Sequence, residues 1–266
     1  MIHAVKIGKL EYLQAEGLTA PHCFTTRFGG VSQGHLSSMN IGTHRGDDPK
    51  NVLKNYQILA DAIGFDPACL VLTKQIHTDV VRLVGKPQMG AGLIGQELSP
   101  CDGLITNEKG VGLVVFSADC TPILLEDSET GAVGAVHAGW RGTAAAIAAK
   151  AVDAMVKNFG CRRENIRAAI GPNIAKCCFQ TDGDVPQAML ARYGKEAEAF
   201  IRPDGKKYYV NLKAINALAL QQAGVEQIEI SPICTACESD RFWSHRVVGD
   251  RRGSQGAIIV CKGVGR

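Results

Sequence analysis

The chain has 266 residues, 45% of them apolar and 21% charged, a balance that excludes disorder and fibrous architecture and suffices for one large α/β unit with a continuous core. Lys and Arg number 29 against 26 Asp and Glu, a formal charge of +3, which is too small for a protein whose task is to neutralise a nucleic-acid backbone, so no nucleic-acid partner is expected. No basic stretch followed by an apolar run opens the sequence and no segment approaches about 18 consecutive apolar residues, which reads as a cytoplasmic protein without a membrane partner. In such a setting most of the 10 cysteines should be free thiols or ligands.

Asp48-Pro49 followed by NVLKNYQILADAIG carries a cap, a first-turn proline, helically spaced apolar positions and a closing Gly64, and predicts a helix. LVLTKQ and VVRLV then flank Ile76-His77-Thr78, and GVGLVVFSAD, PILLED and AVGAVHA read as strands separated by glycine and acidic breaks. The Ala-rich TAAAIAAKAVDAMVKNF after Gly142 predicts a largely buried helix. IRAAIG, IEISP and GAIIVCK are further strands, and DVPQAMLARYG and NLKAINALALQQAG further helices. Neither internal repeats nor a GxGxxG after a strand is present. Strand groups alternating with helices that need sheet faces to cover predict a layered, mixed α/β sandwich rather than a dinucleotide-binding order.

Three segments end apolar strands with polar side chains. His137-Ala-Gly-Trp140-Arg141-Gly142 delivers a histidine to a strand end and turns through glycines into a helix, whose N-terminus and Arg141 suit an anion; equally, the glycines could serve only a tight turn against which Trp140 packs. Ser117-Ala-Asp119-Cys120-Thr-Pro122 places a thiol beside a strand-ending proline, and taken alone it reads as a structural cysteine. Gln75-Ile-His77-Thr-Asp79 sets a histidine between two strand-like runs. Together, two histidines and one cysteine can give three ligands to a zinc ion and leave a fourth position open, as in catalytic sites. Their wide separations match no compact zinc-binding pattern. Cys234-Thr-Ala-Cys237 has zinc or redox spacing but no second CxxC, and the adjacent Cys177-Cys178 offers poor chelate geometry. Arginines in three turns, Arg27, Arg141 and Arg246, favour an anionic substrate.

The segments TTRFGGVS, MNIGTHRGDD, KQIHTD, CDGLIT, SADCTPILL, AVHAGWRG, IGPNIAKCCF, CTAC and FWSHR, in this order, resemble the YfiH family, also labelled the multicopper polyphenol oxidase or laccase-domain family. The resemblance is strongest over 24–260 and treats residues 1–266 as one domain. It implies an αββα sandwich, a mononuclear zinc site with His77, Cys120 and His137 as ligands, and phosphorolysis of adenosine, inosine and S-methyl-5′-thioadenosine, with adenosine deamination in many members. Arg27, Asn40, Arg141, His245 and Arg246 become candidates for phosphate or ribose contacts, and Asp102 or Asp119 for a proton shuttle to departing ammonia. Thr78 where a glycine often follows the histidine, Cys101 before Asp102, and the tail DRRGSQGA depart from the family pattern and bear on base preference. Several copper centres are hard to supply from 7 histidines, three of which lie outside the strongest motifs. Two rival functions use the same residues: a cysteine hydrolase with Cys120 as nucleophile and His137 as base, or a non-catalytic nucleotide sensor. A monomer or weak homo-oligomer is expected.

Overall fold

In the computed structural model, which describes residues 1–263, two six-stranded sheets lie face to face between helices. The first has the order β1 (Ile2–Ile7), β2 (Leu10–Ala15), β3 (His22–Thr25), β15 (Gln255–Val260), β7 (Gly112–Ser117), β4 (Leu70–Leu72). The second has the order β14 (Gln227–Ile230), β10 (Ile166–Ile170), β8 (Thr121–Asp127), β9 (Val133–Ala138), β6 (Gly103–Thr106), β5 (Val81–Leu83). Both are mixed: β4 on β7, β5 on β6 and β10 on β14 are parallel, and the remaining pairings are antiparallel. A small sheet of β11 (Gln180–Thr181), β13 (Lys207–Val210) and β12 (Ile201–Asp204) stands beside them.

The period of two in each strand assigns its apolar residues to two cores. Leu113 and Val115 of β7 face Leu124 of β8 and Ala135 of β9 between the sheets. Val114 points outward, where Val52, Tyr56 and Leu59 of α1 (Pro49–Ile63) cover the first sheet. Ile123, Leu125 and Val136 point the other way, under α3 (Ile147–Phe159) and α5 (Leu212–Gln222). The layers are therefore helix, sheet, sheet, helix, the expected αββα sandwich. The α1 signals act as read: the Asp48 carboxylate accepts from the Lys50 amide at 2.9 Å, and Gly64 closes the helix at φ 87°.

The Ala-rich segment departs from the expected single helix. It begins as α2 (Trp140–Ala144), breaks at Ala146 in the left-handed region (φ 57°), and resumes as α3. The cause is tertiary. Tyr193, which closes α4 (Asp184–Tyr193), donates its hydroxyl to the Thr143 carbonyl at 2.6 Å, and Asn216 of α5 donates to the Thr143 hydroxyl at 2.9 Å. These contacts hold α2 at the end of β9 while α3 lies along the sheet. A last short helix, α6 (His245–Val248), precedes β15.

Leu124 is fully buried between the sheets. Leu124→Ala should lower unfolding free energy by about 2–5 kcal/mol through lost burial and a residual cavity, read from the urea midpoint. A loss below about 1 kcal/mol would contradict this packing.

Candidate active site and metal centre

Two chain crossings from one sheet to the other create the site. The connection from β4 to β5 carries His77, the tight turn from β7 to β8 carries Cys120, and β9 brings His137 beside them. One donor atom from each lies within 4.8 Å of the other two, and the imidazole centroids are 5.0 Å apart. Two backbone features permit this closeness. His77 and Asp119 hold φ of 61° and 85°, a left-handed conformation that non-glycine residues adopt rarely and at a cost. At Gly139 a Cβ would lie 2.6 Å from His77 Nδ1 and 3.3 Å from Cys120 Sγ, so the glycine in HAGW is required by the approach of two ligands.

Asp102 underlies the cluster. It precedes β6, whose antiparallel pairing with β9 brings the His137 amide to the Asp102 carbonyl at 2.7 Å. Its carboxylate accepts from the backbone amides of Ile76, His77 and Thr78 at 3.2, 3.1 and 2.8 Å, from the Thr78 hydroxyl at 2.9 Å, and from His137 Nδ1 at 2.8 Å. The last bond leaves His137 Nε2 as the ring's donor atom beside Cys120, the carboxylate–histidine arrangement that would orient a metal ligand. Burial opposes ionisation of Asp102, but His137 and the Thr78 donors outweigh it and bring its pKa to about 2. Burial also opposes charge on His137. The Cys120 sulfur and Asp102 more than compensate, raising His137 to about 9 in the metal-free cluster. His77 is lowered by burial and by the neighbouring His137, so it offers a neutral imidazole.

The donor set fits a metal ion: two imidazoles and a sulfur, one ring oriented by a carboxylate, all facing a cleft. That cleft has two lobes, of about 430 and 400 Å³, which share His77, Ala118, Cys120 and Arg252. The first is polar, with Arg45, Lys74 and Arg252 on its walls. Glu97 pairs with Lys74 at 2.9 Å and also with His44. Among the described residues no carboxylate lies within ion-pair distance of Arg45 or Arg252. Burial lowers Arg252 to about 10, and the like charge of Arg45 adds to this. The second lobe is walled by Trp140, Ile174, Phe179 and Leu212 together with Asp119, His245, Arg246 and Asp250.

The structure places the other expected site residues at different distances from the cleft. Arg27 is not at either lobe: its guanidinium donates to the carbonyls of Ser239 and Ser37 at 3.0 and 3.1 Å and stacks 4.0 Å from the Trp243 ring centroid. Asn40 is fully buried, donates to Asp47 at 2.8 Å and accepts from the amides of Gly42 and Ser254 at 3.1 and 2.9 Å. Both are consumed by structure. Asp102 is enclosed and already accepts five hydrogen bonds, an arrangement suited to orienting His137 and the His77 turn. Asp119 reaches the cleft wall, but its carboxylate accepts from Thr235 and Ser244 hydroxyls and the Arg246 amide at 2.6, 3.0 and 2.7 Å. Arg141 is exposed, stacks 4.2 Å from the Trp140 ring centroid, and lies near enough to His77 to disfavour its charge. Arg246 spends two donors on the carbonyls of Cys178 and Gln180 at 2.8 and 3.0 Å. The residues missed are Arg45, Arg252 and Gly139. The first two lie in MNIGTHRGDD and DRRGSQGA, where nothing local distinguishes them from surface arginines.

The αββα sandwich and an open His/Cys/His donor set at the seam of its sheets define an α/β protein with one cleft-lining metal-type centre. The chain belongs to the family described as multi-copper polyphenol oxidoreductase laccase, which it matches over residues 21–262. It is 36% identical over 243 residues to the purine nucleoside phosphorylase YlmD of Bacillus subtilis (strain 168), covering 90% of this chain and 87% of that one. To the purine nucleoside phosphorylase YfiH of Escherichia coli (strain K12) it is 35% identical over 237 residues, covering 89% and 91%. The crystal structure of YlmD from Geobacillus stearothermophilus superposes with a TM-score of 0.91 at 33% identity, covering 97% of this chain and 98% of that one.

Asp102→Asn would turn an amide N–H toward a ring of N–H donors. Metal affinity should fall about 10- to 100-fold with the fold retained, measured by competition with a chromophoric chelator; unchanged affinity would contradict the clamp. The pH sign follows from His137. Its metal-binding form is neutral, whereas the metal-free cluster keeps it protonated up to about pH 9. Binding below that pH must displace this proton, so affinity should rise about tenfold per pH unit for each proton displaced and flatten above the His137 value. A flat profile in the same assay would contradict it.

Proposed function

We propose that this protein is a zinc-dependent purine nucleoside phosphorylase acting on adenosine, inosine and S-methyl-5′-thioadenosine, with adenosine deaminase activity. The names of its relatives support the class. The observation that carries the reading in this chain is the pair of guanidiniums, Arg45 and Arg252, facing the polar lobe without carboxylate partners among the described residues and beside the His77/Cys120/His137 cluster. Two like charges with one half-buried are stabilised by an anion between them, and phosphate suits their forked donors. In the adjoining lobe the Trp140, Ile174, Phe179 and Leu212 wall offers a flat apolar surface that suits a purine.

In this reading Arg45 and Arg252 hold inorganic phosphate and aim one oxygen at C1′ of the nucleoside. Trp140, Ile174 and Phe179 exclude water from the purine. The oxygen–C1′ bond forms as C1′–N9 breaks, giving ribose 1-phosphate and the free base. Arg252 Nε lies 3.5 Å and Asp250 Oδ1 3.6 Å from His245 Nδ1, which leaves Nε2 as the other ring nitrogen. In its protonated form His245, on the wall of the second lobe, can pass a ring proton to the leaving purine and remain a neutral imidazole, and it is assigned as the proton donor. A zinc ion in the cluster would supply Lewis-acid polarisation of a water or a substrate atom at the open position, the chemistry deamination requires. Zinc is favoured over several coppers because, among the described residues, only this cluster joins two imidazoles to a third donor.

One observation favours a second reading. Asp102, His137 and Cys120 follow one another as acid, base and thiol, the order a cysteine hydrolase uses. His77 has no task in that scheme, and as the third donor it favours a metal.

The test is incubation of metal-quantified protein with adenosine, with and without phosphate, followed by chromatography. Adenine release should require phosphate, and inosine should form without it. Cys120→Ala should lose zinc and both activities. Arg252→Met should raise the phosphate KM roughly 10- to 100-fold, the range for losing a charged hydrogen bond. Full activity in zinc-free Cys120→Ala protein, or rapid alkylation of Cys120 in a metal-free active enzyme, would overturn the reading.

A further inference from the structure

Outside the cleft, four cysteines that the proposed reaction does not use come together. Cys177 and Cys178 lie in the loop leaving β10, and Cys234 and Cys237 in the loop leaving β14. Because β10 and β14 are parallel neighbours, both loops emerge from the same sheet edge side by side. A bridge between Asn173 and Cys234, closed by the Thr235 amide on the Asn173 carbonyl at 3.0 Å, fixes their register. The four sulfurs all lie within 4.8 Å of one another, with Cys237 Sγ 3.5 Å from Cys177 Sγ and 3.4 Å from Cys178 Sγ.

From this gathering we infer a second metal site: one zinc ion held by Cys177, Cys178, Cys234 and Cys237, closed to substrate, that ties the 171–180 loop to the 231–244 loop. A tetrahedral ion with zinc–sulfur bonds of about 2.3 Å sets its sulfurs about 3.8 Å apart, close to the observed spacing. A disulfide needs about 2.05 Å, and all four cysteines are free thiols. An iron–sulfur cluster holds its cysteine sulfurs further apart than a single ion does. The adjacency of Cys177 and Cys178 is no obstacle here, since both side chains reach the sulfur of Cys237.

The surroundings suit a thiolate centre. The Ala175 amide donates to Cys234 Sγ at 3.3 Å. Lys213 of α5 is buried next to Cys234 and Cys177 and donates to the carbonyls of Ser231 and Ile233 at 2.7 and 2.9 Å. Its charge offsets part of the double negative charge that four thiolates and a zinc ion carry. Binding releases the four thiol protons to solvent and changes no oxidation state.

The position gives the site a task. Ile174 and Phe179, on the first loop, wall the second lobe. Thr235, on the second, donates to Asp119 beside Cys120. Arg246 grips the Cys178 carbonyl. An ion joining the loops is a positioning device for that wall.

The test is zinc quantification by mass spectrometry on the full chain, purified without chelator. Wild type should hold two zinc ions per chain, Cys177→Ser/Cys237→Ser one, and Cys120→Ala one. Cys120→Ala reloaded with cobalt should show the sulfur-to-cobalt charge transfer and visible bands of a four-thiolate tetrahedral centre. The two sites fail separately: zinc lost in Cys177→Ser/Cys237→Ser but retained in Cys120→Ala supports this inference even if the cleft holds none. Zinc content unaffected by Cys177→Ser/Cys237→Ser, iron in place of zinc, or disulfides among these cysteines in the native wild-type protein would overturn it. The wild-type measurements stand even if a variant fails to fold.

Discussion

Five hydrogen bonds converge on the buried carboxylate of Asp102, and the candidate centre depends on them. Four come from the turn that carries His77 and one from the ring of His137. An ionised carboxylate without partners in such a place costs several kcal/mol; with these donors it stays charged. Since the donors belong to a crossing between the sheets and to a central strand, the interaction that stabilises Asp102 also sets the distance between two ligands. Its negative charge orients one imidazole and favours a cation beyond it.

Around this clamp the chain accepts local costs to bring groups close. His77 and Asp119 adopt backbone conformations suited to glycine, and position 139 tolerates no Cβ. Asp119 is held in its strained conformation by three donors, two of them from the segment that carries α6. The arginines divide accordingly. Arg27 and Arg246 each spend two guanidinium donors on carbonyls, as structural braces, whereas Arg45 and Arg252 line the cleft, Arg252 with one donor on the Gly253 carbonyl at 3.1 Å. Guanidinium charge without a direct ion-pair partner beside a donor cluster is the feature that points to an anionic reactant.

Local signals made much of the fold legible. Asp48-Pro49 and Gly64 bound α1, and continuous apolar runs mark β7, β8, β9 and β15. Less readable were β1, whose pattern is mostly exposed, and the short strands of the third sheet. The break at Ala146 could not be read, because it comes from Tyr193 and Asn216 reaching Thr143 from distant helices. At the site, His77, Cys120 and His137 stood out as polar residues ending apolar segments, but their convergence rests on two sheet crossings that spacing does not encode. The converse holds for Arg27 and Asn40, whose chemistry suits a ligand but whose donors are spent on the backbone and on Asp47. The four clustered cysteines show the same limit: adjacency in sequence argued against chelation, and the parallel pairing of β10 with β14 brings the sulfurs together.

The central claim is that Asp102 assembles an open three-ligand centre, and anomalous scattering at the zinc edge from crystals of the native protein tests it most directly. The account predicts a peak about 2.0–2.3 Å from a His77 ring nitrogen, Cys120 Sγ and His137 Nε2, with the remaining coordination position facing the cleft. Absence of density at that point in zinc-replete crystals, or a fourth side chain closing the position, would contradict it.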